Sequence, residues 1–187
     1  MKIYILSSSY SDNCSFIENY PRGTESIMSK AMAQHWLTFQ HYKPITLELY
    51  RSDTGKKNYK FDFSDTLNPF LVFSEKAIKA LSPVLLSRGQ FLDVITDSKR
   101  KKYIGYYPTN CLSKGTLDLN KSIYESYEKG FMIDKIVLIK EKIYDDYLFT
   151  IEESISRVFV TDKFKKLVEE NGLVGFEFSE YNEIELS

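Results

Sequence analysis

The residues of this sequence with the strongest potential for nucleophilic or metal chemistry are Cys14, Cys111, His35 and His41. A catalytic thiol needs a neighbouring base that raises its thiolate fraction. The residues that flank Cys111, in YYPTNCLSKG, offer only Lys114, and a histidine could reach the thiol only through the fold. His35 falls in the apolar stripe of a predicted helix, which is typical of a core or semi-buried histidine. The sequence therefore predicts no catalytic residue and no enzyme. A small hydrolase or transferase that uses Cys111 or a pair of carboxylates stays an alternative.

Metal and cofactor sites lack their usual residue patterns. His35 and His41 are six positions apart, so they do not share one face of a helix, and neither HExxH nor a His–Cys cluster is present. The two cysteines are too far apart in sequence for a zinc motif or a disulfide framework. The eight glycines form no GxGxxG and no GxxxxGK motif. We therefore expect no metal, no cofactor and no phosphate-binding loop.

A run of four bases, Lys99–Lys102, lies in DSKRKKYIGYY beside aromatic residues. Such a composition could grip a phosphate backbone or stack on bases. The whole chain, however, has a net charge of −1 at pH 7, so it has no overall field that would attract nucleic acid. A solvated turn between two strands explains the run as well. The sequence favours that turn, and a nucleic-acid-binding module is kept as an alternative.

Acidic residues are concentrated near the end of the chain. Glu141–Ser187 holds 12 acids and 5 bases, a local charge of −7, whereas residues 1–140 hold 14 acids and 20 bases. Carboxylates beside aromatic rings fit contact with a basic protein, because charge complementarity guides the partner and the rings supply buried area. The residues predicted to contact such a partner are Asp145, Asp146, Glu152, Glu153, Glu177, Glu180, Tyr181 and Glu183.

These candidates have to be positioned by short strands. Alternating or β-rich runs separated by turn-forming residues predict strands along most of the chain. The predicted strands include Lys2–Leu6, Ile45–Tyr50, Tyr59–Phe63, Phe91–Thr96, Tyr103–Tyr107, Lys135–Lys140, Tyr147–Ile151 and Arg157–Val160. Their hairpin-length spacing favours a mixed, largely antiparallel sheet over regular βαβ units.

Apolar stripes predict a few amphipathic helices that pack on this sheet. One begins after Thr24 and runs as far as Phe39, and a second begins after Ser74 as its N-cap and is broken by Pro83. A third begins at Thr161 or Asp162 and ends before a glycine. The expected fold class is therefore α+β.

The length of 187 residues fits one domain, residues 1–187. A polar segment near residues 51–60 is the best candidate for a subdivision. It would separate an N-terminal β-α-β portion, residues 1–50, from a core at residues 61–187.

The N-terminus, MKIYILSSSY, lacks the apolar core of a signal peptide, and the sequence contains no apolar run of 18 residues. We therefore expect a cytoplasmic protein that does not enter a membrane.

The sequence is rich in aromatic residues, with 14 tyrosines and 13 phenylalanines. This content leaves room for a surface through which two copies associate.

Three segments carry a resemblance to a known family. The first is a strand, a serine-capped helix and GQFLDV at Val72–Val94, and the second runs from the aromatic pair at Tyr106 through Asn110 and an LD…KS stretch. The third is a strand, a TDKFKKL helix and GLVGFEF at Arg157–Phe178. Across Leu71–Tyr181, which is 111 of the 187 residues, the chain resembles the immunity proteins of bacterial polymorphic toxin systems. This is an α+β family long described only as a domain of unknown function.

The resemblance implies a cytoplasmic antidote without enzymatic activity, encoded beside the toxin that it binds and neutralises. Its three segments are signatures of a fold, so no catalytic residues carry over to this sequence. The expected partner is a cognate toxin domain. The expected mechanism is stoichiometric masking of that domain by acidic and aromatic side chains.

Overall fold

The computed structural model describes residues 1–9, 15–50, 59–127, 130–144 and 147–187. Mixed sheets and a few helices form the fold, as expected, but strands dominate it, with 42% strand and 19% helix. In chain order the elements are β1 Ile3–Ile5, β2 Ser7–Ser8, β3 Phe16–Asn19, α1 Ile27–Ala33, β4 Ile45–Leu49, β5 Phe63–Leu67, β6 Phe70–Ser74, α2 Glu75–Leu85, β7 Gly89–Thr96, β8 Tyr103–Pro108, β9 Cys111–Leu112, β10 Ile123–Tyr127, β11 Gly130–Lys135, β12 Val137–Leu138, β13 Leu148–Ile151, β14 Ser154–Thr161, α3 Asp162–Glu170, β15 Phe176–Glu177 and β16 Glu183–Leu186.

The first sheet has the strand order β12-β16-β1-β14-β13-β9. At its centre β1 pairs antiparallel with β14, with Tyr4 opposite Val160. Both faces of this sheet are covered: Tyr4, Val158 and Val160 belong to one hydrophobic core, whereas Ile3 and Phe159 belong to another. A strand that is buried on both faces reads as a continuous apolar run, which explains the sequence VFV in β14.

The second sheet has the strand order β3-β4-β7-β8-β6-β5. Among the described residues, β4 and β7 form its only parallel pair, and its other neighbouring strands are antiparallel. Its strand β6 is buried at every position. Gly105 allows β8 to pack closely against its neighbouring strands β6 and β7. A Cβ at this position would lie 2.3 Å from Cζ of Phe70 and 2.9 Å from the carbonyl oxygen of Leu92. The strands thus divide into two large sheets, instead of the single sheet that we expected.

Two smaller ribbons complete the strands of the described residues: a hairpin of β10 and β11, and the antiparallel pair of β15 and β2. The hairpin covers the outer face of the first sheet, where Ile133, Tyr124 and Phe131 pack in the second core. We did not predict this hairpin from the sequence, and most of its residues are exposed.

Residues 1–50 contribute to both sheets, with β1 in the first and β3 and β4 in the second. Phe16, Ile27 and Leu47 lie in the same core as Phe73 and Val160 of the later segments. Residues 51–58, where we expected a boundary, lie outside the described residues.

Helix α1 differs from its prediction at both ends. Ser26 is the N-cap in place of Thr24, and its Oγ accepts a hydrogen bond from the Ser29 N–H at 3.2 Å. The helix ends at Ala33, so the apolar stripe that we extended to Phe39 continues into a loop.

Helix α2 confirms its predicted cap, because Oγ of Ser74 accepts the Ala77 N–H at 3.1 Å. The predicted break at Pro83 is wrong, since the helix runs to Leu85. Proline has no backbone N–H, so it cannot donate the usual hydrogen bond to the Lys79 carbonyl. The Ser82 hydroxyl donates to that carbonyl instead, at 3.5 Å.

Among the described residues, no helix has the length and apolar character needed to cross a membrane.

Two predicted strands are also wrong in extent. The run at Tyr59–Phe63 belongs mostly to irregular chain, and β5 begins only at Phe63. The run at Lys135–Lys140 is divided between the end of β11 and the two-residue strand β12. In both places the predicted run includes residues that have no pairing partner in a sheet.

One buried carboxylate, Asp62, ties three distant segments together. Its Oδ1 accepts from Oγ of Ser74 at 2.6 Å and from Nζ of Lys101 at 2.8 Å, and its Oδ2 accepts from the Val174 N–H at 3.0 Å. Asp62 therefore fixes the start of α2, the basic turn between β7 and β8, and the loop that follows α3. Two of the three segments that carry the resemblance meet at this residue.

Candidate functional site

The tight turn between β13 and β14 consists of Glu152 and Glu153, because Ile151 pairs directly with Ser154. Glu152 is exposed. Glu153 does not lie on the surface as we expected: it is only 7% exposed. Its Oε1 accepts the Gly115 N–H at 2.6 Å, and this hydrogen bond draws the side chain inward.

The second oxygen of Glu153 has no such donor. Its Oε2 is buried, and no group of the described residues donates a hydrogen bond to it. Buried polar atoms are nearly always hydrogen-bonded in native proteins, so an orphan carboxylate oxygen needs an explanation.

A loop that follows α1 lies beside this turn. His35 and Trp36 have left-handed backbones, with φ of 47° and 65°, and each such non-glycine residue costs about 1–2 kcal/mol. The Tyr107 hydroxyl holds the loop: it accepts the Trp36 N–H and donates to the Ala31 carbonyl, both at 2.9 Å. Burial raises the pKa of Tyr107 to about 12, so the hydroxyl keeps the proton that it donates.

The Trp36 ring anchors the loop to both sheets. It stacks on Tyr107 of the second sheet, with 5.9 Å between ring centroids, and its Nε1–H donates to the Ile151 carbonyl of the first sheet at 3.2 Å. His35 is consequently exposed next to this anchor, in place of the core position that we predicted for it. The helical stripe could not reveal this, because the hydroxyl that ends the helix comes from 71 residues later in the chain.

Two adjoining depressions open between this loop and the Glu152–Glu153 turn, and we refer to them together as the cleft. One, of about 430 Å³, is lined by Leu37, Thr109 and Cys111, and the other, of about 300 Å³, by Tyr127, Phe131, Met132 and Glu153. Both are also lined by His35, Glu152 and Ile155. The fold therefore brings together two of the predicted contact residues, Glu152 and Glu153, with the cysteine and one histidine that we had weighed for chemistry.

Cys111 does not have the properties of an activated nucleophile. Burial raises the pKa of its thiol, and the negative charges of Glu152 and Glu153 raise it further, against a hydrogen bond with Thr150 that lowers it. The thiol itself donates to the Leu112 carbonyl at 3.6 Å. Catalytic cysteines have lowered pKa values and lie beside positive charge, so the surroundings of Cys111 act in the opposite direction.

Tyr127, Phe131 and Met132 are lining residues that sequence reasoning missed, because they belong to the unpredicted hairpin. The available signal was the pair of alternating runs on either side of Gly130, in YESYEKGFMID. The Tyr127 hydroxyl donates to Glu125, which adds a further carboxylate near the rim.

The remaining predicted contact residues lie in the C-terminal segment. Glu180 begins a 3-10 turn, Glu180–Asn182, in which the Tyr181 side chain is 97% exposed. This turn is anchored, since Nδ2 of Asn182 donates to Oγ of Ser7 at 2.9 Å. Glu177 is half-buried and accepts the Ser179 N–H, and Glu183 accepts from Nζ of Lys2 at 2.8 Å. We refer to Glu177, Glu180, Tyr181 and Glu183 as the C-terminal patch.

The cleft and the C-terminal patch lie at opposite ends of β14. The Glu152–Glu153 turn precedes Ser154, whereas Glu183 pairs with Tyr4, which in turn pairs with Val160. The six residue steps from Ser154 to Val160 span roughly 20 Å along β14. The eight predicted residues therefore do not form one continuous surface, and two of them, Asp145 and Asp146, lie outside the described residues.

The basic run forms a turn between β7 and β8, as predicted. Its least exposed base, Lys101, pairs with Asp62 and also donates to the Lys60 carbonyl at 2.9 Å. Lys99, Arg100 and Lys102 border a shallow depression of about 390 Å³. Only part of the run is thus available to an anion.

Within the described part of the chain, no group of three or more histidine, cysteine or acidic side chains is arranged to hold a metal ion. The two histidines do not meet, since His35 lines the cleft and His41 lines a different depression beside Tyr42. The arrangement at the cleft thus consists of carboxylates, aromatic rings and a protonated thiol.

A scan of the sequence against protein-family models found no model that matches, and a search of curated proteins found no match either.

Proposed function

We propose that this protein is an immunity protein that binds and neutralises a cognate polymorphic toxin in the cytoplasm, without catalysis. Support comes from the resemblance of Leu71–Tyr181 to the immunity proteins. Two of the segments that carry this resemblance, those that contain Ser74 and Val174, meet at Asp62. The α+β architecture of that family is part of the same proposal. The partner is a toxin domain with a basic surface.

The observation that carries the proposal is the presentation of Tyr181. An almost fully exposed tyrosine projects from an anchored turn between Glu180 and Glu183. Tyrosine is enriched among the residues that dominate binding energy, and a rigid support lowers the entropy lost on association. Carboxylates around such a ring favour a basic partner by charge complementarity.

The mechanism is masking. The C-terminal patch docks on cationic groups of the toxin, the Tyr181 ring is buried in the contact, and the toxin's substrate is excluded. No residue of this protein needs to react, which agrees with the protonated thiol of Cys111.

The test is co-expression with the toxin domain encoded by the adjacent gene. We expect growth of cells that produce both proteins and a stoichiometric complex on purification. If the toxin still kills and no complex forms, the proposal fails.

Charge reversal locates the contact. The double variant Glu177→Lys with Glu180→Lys is expected to weaken the complex at least tenfold. A matched control, Glu48→Lys with Glu141→Lys, makes the same change of charge at two exposed carboxylates outside the C-terminal patch and should bind as the wild type does. Full protection by the first variant, with the fold intact, would remove the C-terminal patch from the interface.

A further inference from the structure

The cleft has the electrostatic character of a cation site. Glu152 and Glu153 are adjacent in one tight turn, and both line the depression that Tyr127 and Met132 border. No lysine or arginine is among the described residues that line either part of the cleft. An anion there would meet two carboxylates, with no lysine or arginine among the described lining residues to compensate them.

The orphan oxygen of Glu153 is an independent indication of a ligand. The side chain is only 7% exposed, its Oε1 is occupied by the Gly115 N–H, and its Oε2 lacks a donor among the described residues. A ligand with N–H groups would supply the missing hydrogen bond, and it would do so more strongly if it carried a positive charge.

The walls of the cleft add an apolar requirement. Phe131, Met132 and Ile155 line the same depression as the two glutamates, and Tyr127 and Met132, which are 56% and 51% exposed, form its rim. An aliphatic stem would pack against these side chains while its charged end reached the carboxylates. Because the two rim residues are about half exposed, their side chains can turn to admit a ligand.

We propose that the cleft binds an alkylguanidinium group, namely the side chain of an arginine presented by a protein partner. Guanidinium has five N–H donors in a planar fork, so one group can donate to Glu152 and to Glu153 at the same time. A lysine ammonium is a compact, strongly hydrated point charge without this fixed fork. The identity of the partner as the toxin rests on the proposed function, but the existence of the site does not.

The experiment is a titration of the isolated full-length protein with N-acetyl-arginine amide, followed by amide NMR. The Gly115 N–H and the Trp36 indole N–H report on the site, since the first is bonded to Glu153 and the second anchors the adjoining loop. A ligand of this size should bind with a Kd on the order of 1 mM and shift both signals in a saturable manner. The neutral isostere N-acetyl-citrulline amide should bind at least tenfold more weakly.

Two variants test the assignment. Glu153→Gln and Glu152→Gln are each expected to weaken the arginine probe at least tenfold, whereas Glu177→Gln, in the C-terminal patch, should leave it unchanged. Glu152 is exposed, so its variant keeps the test valid even if Glu153→Gln folds poorly. The proposal is overturned if the shifts do not saturate, if citrulline binds as tightly as arginine, or if both cleft variants bind as the wild type does.

The titration uses no toxin, so its outcome is separate from that of co-expression. Absence of a toxin complex together with specific arginine binding rejects the proposed function and retains the site. A toxin complex together with non-specific or absent arginine binding rejects the site and retains the proposed function.

Discussion

Asp62 and Glu153 are the two buried carboxylates of the described residues, and their surroundings differ in one respect. Both oxygens of Asp62 accept hydrogen bonds, from a hydroxyl, a backbone amide and a lysine. Glu153 has a donor on one oxygen and none on the other. A buried carboxylate whose partners come from the same chain fixes the fold, whereas one that lacks a partner leaves part of its bonding capacity for a ligand.

The largest effect on this comparison is expected from Asp62→Ala. The substitution leaves the Ser74 hydroxyl, the Val174 amide and the Lys101 ammonium without their acceptor. Breaking a buried, hydrogen-bonded ion pair from one side costs about 3–5 kcal/mol. We expect a loss of this size in the free energy of unfolding, measured by urea denaturation.

Asp62→Asn serves as the control for Asp62→Ala, because the amide keeps an acceptor oxygen and loses only the charge. Its loss should be smaller, about 1–3 kcal/mol. If Asp62→Ala loses less than about 1 kcal/mol, the network does not hold the three segments together.

The pH dependence of stability gives the next largest effect. Burial alone would raise the pKa of Asp62, but the hydrogen bonds from Lys101, Ser74 and Val174 outweigh burial and lower it below the model-compound value of 3.8. A carboxylate with a lowered folded-state pKa stabilises the protein above its unfolded pKa, and this contribution disappears as pH falls through the folded pKa. The free energy of unfolding should therefore fall below about pH 4, with a slope from this group of at most about 1.4 kcal/mol per pH unit.

Comparison with Asp62→Asn isolates this group from other carboxylates. The pKa of Asp118 is also lowered, by hydrogen bonds with Ser187 and backbone amides, and contributes to acid sensitivity in both proteins. The difference in stability between wild type and variant should shrink as pH falls through the lowered folded-state pKa of Asp62. Parallel curves over the whole acidic range would show that Asp62 does not titrate with folding.

Part of this fold could be predicted from short stretches of sequence. The Ser74 cap and the doubly buried run at Val158–Val160 depend on residues within a few positions, so the local pattern was sufficient. The partners of Asp62 could not be predicted, because the Val174 amide is 112 residues away and no spacing rule relates the two.

The candidate site shows the same limit. Acidic composition identified Glu152 and Glu153, but the burial of Glu153 depends on its hydrogen bond with the Gly115 N–H, whereas Glu152 stays exposed. His35 lines the cleft from a left-handed turn after α1, beside the Tyr107 hydroxyl that bonds to the Ala31 carbonyl and the Trp36 N–H. A cleft assembled from an α1 loop, a hairpin and a turn has no signature in any one segment.

A smaller effect on stability is expected from Glu153→Gln. The amide oxygen can keep the Gly115 hydrogen bond, and the variant no longer buries a carboxylate oxygen without a donor. The free energy of unfolding should change by less than about 1 kcal/mol, in either direction, as measured by urea denaturation. A loss above about 2 kcal/mol would mean that Glu153 supports the fold in the way that Asp62 does.

The smallest effect on stability is expected from Tyr181→Ala in the C-terminal patch. A side chain that is 97% exposed loses almost no buried area on truncation, so the free energy of unfolding should change by less than about 0.5 kcal/mol. The same substitution should weaken binding strongly. A tyrosine that anchors an interface contributes about 2 kcal/mol or more, so its loss corresponds to roughly a thirtyfold weaker complex. The measurement is the Kd of the complex with the proposed toxin partner, by calorimetry.

Tyr144→Ala is the matched control for Tyr181→Ala, since Tyr144 is 73% exposed but lies outside the C-terminal patch. If both variants bind the toxin domain as tightly as the wild type, Tyr181 is an ordinary solvated side chain. If only Tyr181→Ala weakens the complex, the residue with the least influence on folding has a dominant influence on binding. Together with Asp62, such a result would separate the side chains that hold this fold from those that the fold presents to a partner.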